Sequence, residues 1–132
     1  MSVNDDPNGT ERTAVVIVDH GSRRAESNAF HERFVADWQE RHGYTIVEPA
    51  HMEMAEPSIS DAVDSCVAKG ATHVIIAPFF LWPGRHMEQD IPSLVAEAAE
   101  RHQGVTFTMA EALGPHPLLG DIVAARVEAA RS

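Results

Sequence analysis

Two histidines stand at the ends of apolar runs. His20 follows Ala14-Val15-Val16-Ile17-Val18-Asp19, and His86 follows Val74-Ile75-Ile76-Ala77-Pro78-Phe79-Phe80-Leu81 by a short loop ending Pro83-Gly84-Arg85. Each imidazole sits close to glycine and arginine. Neutral imidazole suits Co, Fe, Ni or Zn better than Mg or Ca. Glu53, after a third β-rich run, is placed to take protons from a ligand or to hold a metal. Arg23, Arg24 and Arg85 put three of the ten cations into the two histidine loops. That grouping suits an anionic substrate held by charge-assisted bonds to its carboxylates. Ser22 lies in the first loop and joins them as a substrate-binding candidate. A lone loop histidine more often satisfies backbone groups, and an arginine more often makes a surface ion pair. Two histidines at equivalent strand exits shift the weight toward a site.

The remaining histidines read differently. His31, His42 and His102 fall within or at the ends of helical segments and read as solvated, and His73 reads as structural. His51 and His116 admit either reading, although His116 between two prolines suggests a rigid turn before a helix. Glu56 reads equally well as a helix-capping residue ahead of Ser58.

The elements that must position these residues form four strand-then-helix units. Strands are expected at 13–18, 44–52, 72–81 and 105–110. A β-branched run such as Val15-Val16-Ile17-Val18 is typical of a strand buried on both faces. Pro49 limits pairing and places the second strand near an edge. The first helix, 26–42, carries Phe30, Phe34, Trp38 and Arg41 at helical spacing and stops at Gly43. The second starts at Ser58, with Asp61 completing a capping box, and buries Ile59, Val63, Cys66 and Val67. The third starts at Asp90 with Pro92 in its first turn. The fourth carries Leu118, Leu119, Ile122, Val123 and Val127. This order predicts an α/β fold: a four-stranded, mostly parallel sheet with helices on both faces, a flavodoxin-like three-layer sandwich. All four strand exits then share one sheet edge. If strands one and three are neighbours, His20 and His86 flank the topological switch point, where open α/β sheets bind ligands.

Residues 1–12 are polar and read as a disordered lead-in; residues 13–132 read as a single domain. The net charge of −10, from 20 acidic and 10 basic residues, argues against general nucleic-acid or anionic-membrane binding. No apolar stretch reaches the ~20 residues of a membrane span. The single cysteine, Cys66, excludes an internal disulfide and reads as a core residue. A cytoplasmic location is expected. Asp19 ahead of His20 is not the arginine of a phosphohistidine phosphatase. No Gly-x-Gly-x-x-Gly, P-loop or nucleophile elbow is present, and Gly21-Ser22 is a poor phosphate loop for a flavin.

Four segments in order carry a resemblance: His20-Gly21-Ser22-Arg23; Glu53-Met54-Ala55-Glu56-Pro57-Ser58-Ile59; Pro78 to His86 with Asp90-Ile91-Pro92; and Leu113-Gly114-Pro115-His116-Pro117-Leu118-Leu119. Together they resemble the class II chelatases of the CbiX/SirB type over about residues 13–129. The resemblance implies insertion of a divalent metal into sirohydrochlorin, with cobalt favoured and iron or nickel as alternatives. It implies a chelatase-like fold and the short form of the family, in which two chains pair as a homodimer around the macrocycle. It carries over His20 and His86 as metal-handling residues and Glu53 as their acidic partner. The metal is then a substrate, and no permanently bound cofactor or iron–sulfur cluster is expected. Asp19 departs from the small residue usual before this histidine. A different class, a non-catalytic metal or tetrapyrrole carrier on the same fold, predicts stoichiometric binding without turnover.

Overall fold

The structure is a computed structural model that describes residues 12–131. Residues 1–11, most of the expected lead-in, and Ser132 lie outside the described residues. Arg12 is already tied to the body: its N–H donates to Thr72 Oγ1 at 2.8 Å, and its carbonyl accepts from the N–H groups of Thr72 and His73.

The chain alternates β1 (Thr13–Asp19), α1 (Ala25–His42), β2 (Ile46–His51), α2 (Ile59–Ala68), β3 (His73–Pro78), a π-helical turn (His86–Asp90) running into α3 (Ile91–Glu100), β4 (Thr106–Met109) and α4 (Pro117–Ala130). The four strands form one all-parallel sheet in the order β2-β1-β3-β4. The adjacency of β1 and β3, assumed from the sequence, is present, and the strand carrying Pro49 lies at the edge.

β1 is one of the two inner strands, and its apolar run is buried on both sides. Val15 and Ile17 meet Val35 of α1 and Val47 of β2. Ala14, Val16 and Val18 meet the larger cluster under α2 and α3, which includes Ile59, Val63, Cys66, Ile91 and Val95. Fully burying a Val or Ile side chain contributes roughly 1.5–3 kcal/mol, so these residues dominate the core. Burial pushes the Cys66 thiol up to about 12, as suits an inert core cysteine. The Ser58 capping box is present: Ser58 Oγ accepts from the Asp61 N–H and Asp61 Oδ2 accepts from the Ser58 N–H, both at 3.1 Å.

Some expectations are corrected. β3 ends at Pro78, three residues short of Leu81, because its neighbour β1 ends at Asp19; the Phe79 N–H to the Val18 carbonyl, at 2.7 Å, is the last link between them. In α1 the inward face carries His31 and Val35, one position past the aromatic stripe; Phe30 and Phe34 are exposed. His31 is therefore buried rather than solvated. His102 is only partly exposed and binds Asp64 of α2 at 2.7 Å. That bond, then one from Arg101, holds the Asp64 carboxyl below its ordinary value. His42 is exposed, its ring tilted against Trp38 at 5.1 Å between centroids. The fourth helix forms as expected, but its apolar residues are not buried: every residue from Gly120 to Ala130 is exposed.

Candidate active site

The parallel sheet brings the exits of β1 and β2 side by side. Asp19 pairs with His51 in the last rung. Beyond it, the Met52 N–H donates to the Asp19 carbonyl at 2.8 Å and the Glu53 N–H donates to the His20 carbonyl at 3.2 Å. This continued pairing sets His20 and Glu53 next to each other, with Nε2 of His20 3.5 Å from Oε2 of Glu53 and both side chains about half exposed. A neutral imidazole and a carboxylate at that separation can share an incoming cation, or pass a proton between them. Phe80, at the exit of β3, lies beside the His20 ring at 6.3 Å between centroids. His20 thus stands at the β1/β3 switch point.

Gly21 locks this geometry. Its φ is +91°, and a Cβ there would lie 1.8 Å from the Glu53 carbonyl oxygen. Only glycine allows the two exit loops to approach so closely. Met54, just after Glu53, also takes a left-handed conformation, φ 67°. Such backbone in a non-glycine residue is uncommon and clusters at functional sites.

A buried polar cluster beneath the pair went unread in the sequence. His51 has no solvent exposure, and its Nδ1 donates to Asp19 Oδ1 at 2.7 Å while its Nε2 donates to Glu32 Oε2 at 2.9 Å. With both nitrogens donating, the ring is an imidazolium. Burial alone pulls its pKa down, but the hydrogen bonds to Glu32 and Asp19, and then their charges, leave it raised. His31 donates from Nε2 to the Ile17 carbonyl at 2.9 Å and sets Nδ1 3.7 Å from Asp19 Oδ2. Asp19 therefore joins β1 to β2 and α1. The Asp19-His20 pair in sequence was the available signal: a carboxylate at the end of a buried strand requires a partner.

The other candidates are placed as follows. Ser22 staples its own loop: its N–H donates to Asn28 Oδ1 at 3.0 Å, its carbonyl accepts from Asn28 Nδ2 at 2.8 Å, and its Oγ accepts from the Arg24 N–H at 3.0 Å. Arg23 and Arg24 are exposed at the start of α1, and Arg24 reaches Glu26 at 3.6 Å. Arg85 is exposed on the β3 exit loop. His86 opens the π-helical turn, a feature often found at functional sites; its side chain lies outside the described residues. His116 caps α4, its Nδ1 accepting from the Leu118 N–H at 3.1 Å. Leu81, Trp82, Pro115, His116, Leu119 and Ile122 line an apolar cavity of about 500 Å³ that neither His20 nor Glu53 enters. Among the described residues no helix is long and apolar enough to cross a membrane.

Comparison with known proteins agrees with this fold. The chain is 55% identical over 114 residues to a protein of Arabidopsis thaliana named "Sirohydrochlorin ferrochelatase, chloroplastic", an overlap covering 86% of this chain and 51% of that one. It superposes with a TM-score of 0.84 on the sirohydrochlorin chelatase SirB from Bacillus subtilis subspecies spizizenii, solved in complex with cobalt; the two are 27% identical, over 88% of this chain and 50% of that chain. The CbiX protein from Marinobacter aquaeolei VT8 is matched with a TM-score of 0.76 and 30% identity, over 91% of this chain and 99% of that one. The chain spans about half the length of the curated relatives it matches. A family model described as CbiX matches residues 14–130, and on that span the chain belongs to the CbiX family.

Proposed function

We propose that this chain inserts a divalent metal into a sirohydrochlorin-type tetrapyrrole. The observation that carries the reading is the His20–Glu53 pair, 3.5 Å apart at the ligand-binding edge of the sheet. Insertion exchanges a hydrated M²⁺ for four ring nitrogens and releases two N–H protons. His20 and His86 hold the incoming ion as neutral imidazoles and displace part of its water. Glu53 accepts the ring protons and passes them to solvent, to which it is about half exposed. Arg23, Arg24 and Arg85 orient the acidic side chains of the macrocycle by charge-assisted bonds, and the Ser22 hydroxyl hydrogen adds a donor on the same side. A homodimer provides the second wall of the cleft.

The sequence reading favoured cobalt. The relatives divide: the Arabidopsis protein is named a ferrochelatase, and SirB was solved with cobalt. The 55% identity moves the weight toward Fe²⁺, with Co²⁺ as the runner-up and Ni²⁺ behind them. A cytoplasmic location rests on the sequence reading alone.

The test is anaerobic absorbance of sirohydrochlorin mixed with Fe²⁺, Co²⁺ or Ni²⁺, with and without a few per cent molar protein. Turnover well above the protein-free rate supports the reading, and the fastest ion identifies the metal. A spectral change that saturates at one equivalent of protein would replace the enzyme by a carrier.

A further inference from the structure

We propose, resting on the metal-insertion reading above, that Glu32 is a positioning residue: through the buried His51 it clamps the ends of β1 and β2 together and so sets the spacing of His20 and Glu53.

The reactive pair needs such a support. Both side chains are about half exposed, so packing around them does not fix their separation. Asp19 and His51, the last residues of β1 and β2, face each other in the final rung. Asp19 stands one residue before His20, and His51 two before Glu53. Whatever holds those two strand ends therefore holds the pair.

Three hydrogen bonds meet at His51. Its Nδ1 donates to Asp19 Oδ1 at 2.7 Å, its Nε2 to Glu32 Oε2 at 2.9 Å, and its backbone N–H to the Pro57 carbonyl at 2.8 Å. The last closes the base of the 52–57 loop, which carries Glu53. The first ties that base to β1, and the second ties it to α1. Helix α1 adds another grip one residue earlier. The buried His31 donates to the Ile17 carbonyl at 2.9 Å and faces Asp19 Oδ2 at 3.7 Å. Consecutive residues of one helix thus hold the ends of both strands. The helix is itself seated by Val35 against Val15, Ile17 and Val47.

The strut works from the side of the sheet away from His20. Asp19 continues the alternation of Val15 and Ile17, which face α1. His20 stands instead beside Phe80, which packs on the α2/α3 cluster. Glu32, His51 and Asp19 therefore act on the pair through the backbone. Stability alone does not account for them, since replacing a whole buried ion-pair cluster by apolar side chains is often neutral or stabilising. A fully bonded polar network does something an apolar filling does not: it specifies one arrangement of the groups it joins.

The test compares the full chain with Glu32→Ala and Glu32→Gln. Alanine and glutamine are both good helix formers, and the Glu32 side chain is 42% exposed, so both variants are expected to keep the circular dichroism of wild type. Glutamine retains an acceptor for His51 Nε2, and alanine removes it. Two quantities are read: steady-state anaerobic metal insertion into sirohydrochlorin, and the Kd for Co²⁺ alone, followed by its d–d absorbance. A 1 Å misplacement costs on the order of 100-fold, so loss of one of the three bonds at His51 is expected to lower kcat about tenfold and weaken Co²⁺ binding about tenfold, with KM for the tetrapyrrole within about twofold of wild type. Glu32→Gln is expected to recover most of both losses. A Glu32→Ala variant that melts earlier but keeps the wild-type kcat and Co²⁺ Kd would show a merely structural role and overturn the proposal. Equal losses in the two variants would also overturn the hydrogen-bonded strut. A wild type that binds Co²⁺ without turnover would remove the metal-insertion reading. The Co²⁺ titration would then decide the strut by itself, weaker binding in Glu32→Ala supporting it and an unchanged Kd overturning it. A wild type that neither turns over nor binds Co²⁺ would overturn both.

Discussion

The two halves of the sheet edge are built unequally. At the β1/β2 exits, a buried imidazolium bridges Asp19 and Glu32, backbone bonds continue past the strands, and Gly21 seats against Glu53. At the β3/β4 exits, Phe79, Leu81, Trp82 and Arg85 are exposed, and α4 leaves without burying a residue. The first half holds its reactive pair preformed. The second offers apolar surface that the chain itself leaves exposed. Buried polar bonds thus gather at the His20–Glu53 end of the edge, and exposed apolar surface at the other.

The largest effect should come from breaking the preformed half. Gly21→Ala drives a Cβ into the Glu53 carbonyl and strains a left-handed residue. Displacing one reacting group by about 1 Å costs on the order of 100-fold, so the insertion rate should fall about that far, measured beside a thermal melt.

Next comes the cluster below. His51→Leu removes the cation between Asp19 and Glu32, whose side chains keep 22% and 42% exposure, so the loss should be about 1–3 kcal/mol, readable by urea unfolding at pH 6. The sign of its pH dependence follows from the raised pKa. The imidazolium contribution is fully present below the unfolded value of about 6.5 and is lost as pH rises through the folded one. The stability gap between wild type and His51→Leu should therefore narrow as pH rises from 6 to 9; a gap that widens would contradict the assigned charge. His31, 5.5 Å from the His51 ring, and Asp19 are the other groups facing it from β1 and α1.

The smallest effect on stability belongs to the exposed cations. Arg24→Ala removes a solvent-facing pair with Glu26 and should change stability by no more than about 0.5 kcal/mol. Its KM for the tetrapyrrole should still rise severalfold, and an unchanged KM would remove Arg24 from substrate binding.

Much of this was legible in the sequence. The run Val15-Val16-Ile17-Val18 announced a central strand, Pro49 an edge, and Ser58 with Asp61 a helix start, because each expresses a local rule of the backbone. That His20 and Glu53 share one sheet edge followed from parallel order, while their pairing was carried only by the family resemblance. His31 was read as solvated, and His51 left open, for the opposite reason. A histidine on a helix or in a strand near proline is polar by type, and only tertiary contact supplies the carboxylates that let it be buried. The exposure of α4 was likewise invisible: its leucines and valines specify a buried helix but not the surface that buries it.

The most direct test of the central claim compares initial rates of anaerobic metal insertion into sirohydrochlorin for wild type, His20→Ala and Glu53→Gln. Both side chains are about half exposed and outside the core, so both variants should melt like wild type. The account predicts that His20→Ala falls to near the protein-free rate and that Glu53→Gln loses on the order of 100-fold or more, the scale of a general base. Wild-type rates in either variant would contradict it.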